Sequence, residues 1–184
     1  QLGVFSKNSI AEETIGEFIA ATMNRYKFAE ICLNYHNRCN NLNKAKVLQR
    51  VNYIFDLGFP YEHIYNNYSS SLKKKLSWIN KFENSYSPSK DFEETIQLYR
   101  QLYGDKIKGV SAEDFRRFVL LCRKLNEDQK IICRVAKDEA GNKLAALVLL
   151  NDGKRIYNII SCITEAGKKV HANDFIYDSL FREF

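Results

Sequence analysis

The chain has 184 residues, of which 45% are hydrophobic and 27% charged, with a formal net charge of +6. Those proportions belong to a globular protein and exclude general disorder. The longest purely apolar run, Leu144–Leu150, has seven residues; a membrane span needs about 20, so none is predicted.

Ser9-Ile10-Ala11-Glu12 has the pattern of a capping box, and Ile15, Phe18, Ile19 and Thr22 follow at helical spacing. Phe28–Tyr35 then alternates, with Ala29, Ile31, Leu33 and Tyr35 on one side, which predicts a strand. His36–Lys46 is polar and Asn-rich, hence a connection. Arg50–Leu57 alternates again through Val51, Tyr53, Phe55 and Leu57, a second predicted strand that Gly58 and Pro60 stop.

From Tyr61 the period changes. Tyr61, Tyr65, Tyr68, Leu72, Leu76 and Ile79 make one helical stripe of about five turns. Lys73-Lys74-Lys75 and Lys81 lie on this stretch, with Lys73, Lys74 and Lys81 on or near the face away from the stripe. The charge is uneven: +5 in residues 1–81 and +1 in residues 82–184. A charge run is a solvated helix face or an anion site, here for nucleic acid or a phosphate-rich ligand. No RNA-binding signature accompanies it.

Phe82–Ser87 reads as a short strand, and Pro88-Ser89 separates it from a helix opening at Asp91-Phe92-Glu93-Glu94. Phe92, Ile96, Tyr99 and Tyr103 form that helix's apolar face, and Gly104 suits its C-terminal position. Ser111-Ala112-Glu113-Asp114 starts the next, lined by Phe115, Phe118, Val119, Cys122 and Leu125. Three strands follow, Lys130–Ala136, Lys143–Asn151 and Lys154–Cys162. The middle one is apolar on both faces, which marks a central strand covered by two layers. Asp152-Gly153 predicts a two-residue hairpin with positive φ at both positions, so the three strands form an antiparallel meander. Thr164–Lys169 reads as a polar loop. A last helix begins near His171–Asn173, with Phe175, Ile176, Leu180 and Phe184 facing inward.

The cysteines are Cys32, Cys39, Cys122, Cys133 and Cys162, an odd number with no CxxC pair or zinc-site spacing. They read as reduced core thiols of a cytoplasmic protein. His36 and His63 have no partner in the sequence, and no Ser/His/Asp, P-loop or dinucleotide motif is present.

The order from Phe82 onward, strand, helix, helix, three-strand meander, loop, helix, resembles the first half of the GNAT superfamily of N-acyltransferases. The segment RVNYIFDLGFPYEHIYNNYSSSLKKKL resembles the strand-then-helix entry of bacterial Fem-type (FemAB-like) aminoacyltransferases and their GNAT-like relatives. The segment GNKLAALVLLNDGKRIYNIISCITEAGKKVHANDFIYDSLF resembles the strand, loop and helix of the same group, and QLGVFS fits its N-terminal part. The resemblance implies an α+β fold with a mixed, largely antiparallel GNAT-like sheet flanked by helices. It implies two partial GNAT-like halves, residues 1–81 with the basic helix 61–81 and residues 82–184.

It also implies transfer of an acyl or aminoacyl group to an amine, from acetyl-CoA or another acyl-CoA, or from a tRNA ester. The protein would supply positioning, a base and oxyanion donors. In GNAT proteins the pyrophosphate rests on backbone N–H groups of a loop that opens a helix. The corresponding stretch is Glu165–Asn173, which makes Gly167, Lys168, Lys169, Ala172 and Asn173 the candidate cofactor-binding residues. It departs from the GNAT pattern Arg/Gln-x-x-Gly-x-Gly/Ala by having one glycine, a departure shared by Fem-type relatives. Glu165 and His171 are the candidate catalytic groups; the alternative is a surface Glu and a capping or half-buried His. Asp174 and Asp178, one turn apart, are a further carboxylate pair, by default solvated. Against the enzyme stands a non-catalytic GNAT-like module that binds tRNA or another anionic partner through Lys73, Lys74, Lys75 and Lys81. A GNAT-like sheet continues past the third meander strand. The opening at Gln1 and the ending at Phe184, within an amphipathic helix, therefore lead to the expectation of a longer natural protein or of another chain on that strand's edge.

Overall fold

A computed structural model describes residues 4, 6, 8–34, 37, 39, 46–48, 51 and 53–184. The chain divides into two units, Gln1–Phe55 and Asp56–Phe184.

The first unit contains helix α1, Glu12–Arg25, which buries Ile15 and Ile19. Its N-terminus differs from the capping-box expectation. Ala11 is the last extended residue and caps without a side chain, so Ser9 lies outside the helix. Acidic Glu12 and Glu13 in the first turn and Arg25 in the last suit the helix dipole instead. Residues 28–34 form no strand, and neither do the described residues of 50–57; Tyr35, Arg50 and Asn52 lie outside the described residues, as does most of 36–46. Alternation shows only that a segment would suit a half-buried ladder. A ladder also needs a neighbouring strand, and Phe28, Val51 and Tyr53 are exposed. A reciprocal pair of bonds joins Val4 to the Asn37 side chain: the Val4 N–H donates to Oδ1 at 2.9 Å and Nδ2 donates to the Val4 carbonyl at 3.0 Å.

The second unit is an α+β fold. A four-stranded sheet of β1 (Ser85–Pro88), β2 (Ile131–Lys137), β3 (Lys143–Asn151) and β4 (Ile156–Ile163) runs in the order β1-β2-β3-β4, every pair antiparallel. Helices α2 (Tyr61–Asn66) and α3 (Ser70–Ile79) precede the sheet. Helices α4 (Phe92–Tyr103) and α5 (Ala112–Glu127) join β1 to β2, and α6 (Glu165–Lys169) and α7 (Ala172–Glu183) follow β4.

The single helix expected over Tyr61–Ile79 is two. Tyr68 bonds back to the Tyr65 carbonyl, and Ser69 turns extended so that its hydroxyl accepts from the Leu72 N–H at 3.2 Å. Serine competes with the helix ladder for backbone donors, so it serves better as a cap than as an interior residue. Both helices lie in the second unit and pack on α7.

Helix α5 starts where the sequence puts it, and a full capping box holds that start: the Asp114 N–H donates to Ser111 Oγ, and Asp114 Oδ2 accepts from the Ser111 N–H. Asp91 caps α4 by accepting from the Glu94 N–H at 2.8 Å. Gly104 stands at the C-terminal position of α4, as expected. Its φ is −53°, and it continues into one 3-10 turn, Gly104–Lys106.

β3 is buried on both faces, as its apolar pattern predicts. Leu144 through Leu149 are all buried. On one face α4 covers Cys133, Val135, Ala146, Val148, Ile160 and Cys162. On the other, α7 brings Ala172, Ile176 and Leu180 against Ala136, Ala145, Leu147 and Leu149. Phe184, expected to face inward, is 43% exposed, beyond the last residues that reach the sheet. The β3–β4 turn is displaced by one residue from its predicted place. The Asp152 N–H donates to the Arg155 carbonyl at 3.1 Å, leaving Gly153 and Lys154 as the central pair. Gly153 alone takes positive φ, +89°, while Asp152 Oδ1 accepts from the Lys154 and Arg155 N–H groups. Asp152 thus serves as a side-chain acceptor rather than as a strained turn residue. Among the described residues, β4 has no strand on its outer edge, and no helix is long and apolar enough to cross a membrane.

Candidate functional site

The stretch Glu165–Asn173 is more ordered than the polar loop read from the sequence. Thr164 ends β4 and caps α6, its Oγ1 accepting from the Gly167 N–H at 3.0 Å. The Thr164 N–H and hydroxyl both turn to the Leu144 carbonyl, at 2.9 and 3.2 Å. This presses α6 onto the start of β3, and Gly167 is buried at the contact. A Cβ there would stand 2.1 Å from the Leu144 carbonyl oxygen, so only glycine fits. The one glycine of the candidate loop is therefore explained by packing, and its N–H is already used.

Glu165 and Lys168 form an ion pair across one turn at 2.5 Å. The ammonium of Lys168 holds the Glu165 carboxyl below the usual carboxylate range, with Lys106 and Lys169 adding to the effect. A general base needs a higher proton affinity, so this setting works against that role. Lys106, Lys168 and Lys169 surround Glu165, leaving a positive excess at this end of the sheet.

His171 joins α6 to α7 with φ +55°, a left-handed conformation uncommon for a side-chain-bearing residue. Its ring stands edge-on to Trp78 of α3 at 5.8 Å between centroids, and Trp78 meets Phe82 edge-on at 4.7 Å. Asp174, in the first turn of α7, lies between Lys75 and His171: its Oδ2 is 3.3 Å from Lys75 Nζ and 4.0 Å from His171 Nδ1. Ala172, the first residue of α7, is fully buried against the sheet, where it packs rather than faces a ligand, and Asn173 is half-buried. The fold thus brings together Lys168, Lys169, His171 and Asn173 from the predicted set. It adds Lys75, Trp78, Phe82 and Asp174, which no local signal joined to them. Trp78 is 39% exposed and Phe82 46%; together they form an aromatic surface next to the start of α7.

The carboxylate pair read on α7 separates into two environments. Asp178 is buried, accepts from the Tyr61 hydroxyl at 2.7 Å and pairs with Arg182 at 3.1 Å. Burial and then the Asp178 carboxylate push the Tyr61 hydroxyl up to about 12, and the same causes push Tyr68 up. Of the basic run, Lys75 is tied to Asp174. Lys73, expected to point to solvent, folds back instead, donating to the Asn66 carbonyl at 2.9 Å and lying over the Tyr65 ring. Lys74 and Lys81 are exposed.

His63 stacks on Phe59 at 4.7 Å, and His36 lies outside the described residues. Cys122, Cys133 and Cys162 are buried free thiols, and burial raises each above the ordinary thiol range. Among the described residues no group of His, Cys, Asp and Glu is placed to hold a metal ion. No protein-family model matches the chain, and no curated protein sequence matches it.

Proposed function

We propose that the second unit is a GNAT-like scaffold and that the chain transfers an acyl or aminoacyl group to an amine. The supporting observation is topological. A strand, two helices and an antiparallel three-strand meander are followed by a helix pair, and among the described residues no strand pairs with the outer edge of β4 beside the start of that pair. An acyl donor carrying phosphates would meet Lys168 and Lys169 as point charges and the first turn of α7. Trp78 and Phe82 would offer a face for a flat ring. His171, rather than Glu165, is the better candidate to exchange a proton, because Glu165 is held in an ion pair. Cytoplasmic location belongs to the same reading.

Acetyl-coenzyme A and an aminoacyl-tRNA are the two probes. A true donor at 100 times its dissociation constant adds about 2.7 kcal/mol to stability, which raises the melting temperature. The rise should shrink in Lys168→Gln/Lys169→Gln. No shift with either donor at saturating concentration overturns the transferase reading.

A second reading rests on the Glu165–Lys168 pair: a GNAT-like module that binds an anionic partner without chemistry, through Lys74 on α3, Lys81 just beyond it, and Lys106, Lys168 and Lys169. Binding of tRNA that weakens steeply with salt, with no transfer to an amine, would favour it.

A further inference from the structure

Helices α2, α3 and α7 border an open pocket of about 360 Å³ lined by Tyr61, Tyr65, Leu76, Ser77, Asn80 and Arg182. That volume lies in the range of small-ligand sites. Leu76 and two tyrosine rings supply apolar wall, and Ser77 and Asn80 supply neutral polar groups.

The single lining charge is Arg182, and its position is fixed from behind. Nε donates to Asp178 Oδ2 at 3.2 Å, and Nη2 lies 3.1 Å from the same oxygen. The guanidinium carbon is 4.5 Å from the centre of the Tyr61 ring. Asp178 itself is buried and bonded to Tyr61, so it holds Arg182 without entering the pocket. Nη1 makes no bond to this carboxylate, although Arg182 also interacts with the Tyr61 hydroxyl, and Arg presents such donors at a geometry that matches oxygen anions. Lys73 Nζ, 5.4 Å from the centre of the Tyr65 ring, adds positive potential near the same wall. Among the described residues, no carboxylate lines the pocket.

We propose that this pocket binds a small organic anion, with a carboxylate or phosphate group on Arg182 and an apolar or ring-shaped body against Tyr65 and Leu76. The site is separate from the Lys168–Asn173 segment and does not depend on the transferase reading.

The probes are benzoate and phenyl phosphate, with benzylamine as the cationic control of the same shape. In the full chain, amide NMR shifts at Ser77 and Asn80 should titrate to saturation with at least one anion below about 10 mM, a range that weak single-ion contacts reach. Whichever anion saturates identifies the head group. Benzylamine should leave the shifts unmoved. Arg182→Gln should weaken binding by about tenfold or more, the scale of a charge-assisted hydrogen bond. Should that variant fold poorly after Asp178 loses its partner, Ser77→Trp gives the same test: Ser77 is exposed, and the larger ring fills the pocket. It should abolish the saturable shifts. Failure of both anions to saturate, equal binding of benzylamine, or unchanged binding in Ser77→Trp overturns the proposal.

Discussion

Gly167 sits where the first turn of α6 meets the backbone of β3, and no other residue fits. Gly167→Ala would drive a methyl group against the Leu144 carbonyl, a backbone atom that cannot rotate aside. Overpacking of this kind costs about 1–3 kcal/mol, and the upper end is expected because the Thr164 cap would be displaced as well. Urea unfolding should show the loss as a lower midpoint at unchanged slope. An unchanged midpoint would mean that α6 does not lie on β3 in this way. The same contact bears on function. A lone glycine after a strand suggests a phosphate loop, yet here its N–H bonds to Thr164 and its missing side chain makes room for a carbonyl. Asp178 carries a similar lesson. Its type and spacing suggest a solvated helix face, but three side chains from other turns, Tyr61, Tyr68 and Arg182, converge on it.

Among elements, β3 carries most of the organisation. It pairs with β2 and β4, and α4 and α7 cover its two faces. Ala146 is fully buried beside Val135 and Cys162, under Leu98, Tyr99, Leu102 and Tyr103. Ala146→Asp would place an unpaired carboxylate there at a cost of several kcal/mol, comparable with the whole stability of a small domain. The variant is expected to lose its cooperative thermal transition and to accumulate as insoluble protein. A soluble, cooperatively folding Ala146→Asp chain would show that the strand is not central. The elements with end signals and apolar faces, α4, α5 and β2 to β4, lie within two residues of where periodicity and capping residues put them. Of the two strands expected within residues 28–57, the first lacked any such second signal and the second had only the stop at Gly58 and Pro60, and alternation alone does not supply a partner. Likewise a single helical stripe ran through Tyr61–Ile79 because tyrosines kept the period, while the serine cap that breaks it is visible only as hydrogen bonds.

Taken whole, the second unit should respond to alkali through its tyrosines. Tyr61, Tyr68 and Tyr86 all have their hydroxyls pushed up, chiefly by burial and then by Asp178 or Glu183, Tyr61 to about 12. An unfolded tyrosine titrates near pH ~10. The folded state therefore holds these protons more tightly, and the stability they contribute is complete below about pH 10 and lost as pH rises through the folded values. Urea midpoints should hold to about pH 10 and then fall, and tyrosinate absorbance of the native protein should lag behind that of the unfolded chain. A native titration that coincides with the unfolded one would show that these hydroxyls are not held as described. The sequence by itself determined the class of this unit, because burial on both faces of Leu144–Leu149 and the capped amphipathic helices follow from local pattern. It also pointed to the Glu165–Asn173 segment. Only the tertiary structure decided that Glu165 is neutralised by Lys168 and that Gly167 is a packing glycine. It alone set Trp78, Phe82 and Lys75 beside His171 and placed a pocket beside Arg182. Apart from the Glu165–Lys168 pair within α6, those relations join residues far apart in the chain, and their energies depend on distance and burial, which residue spacing along one element does not encode.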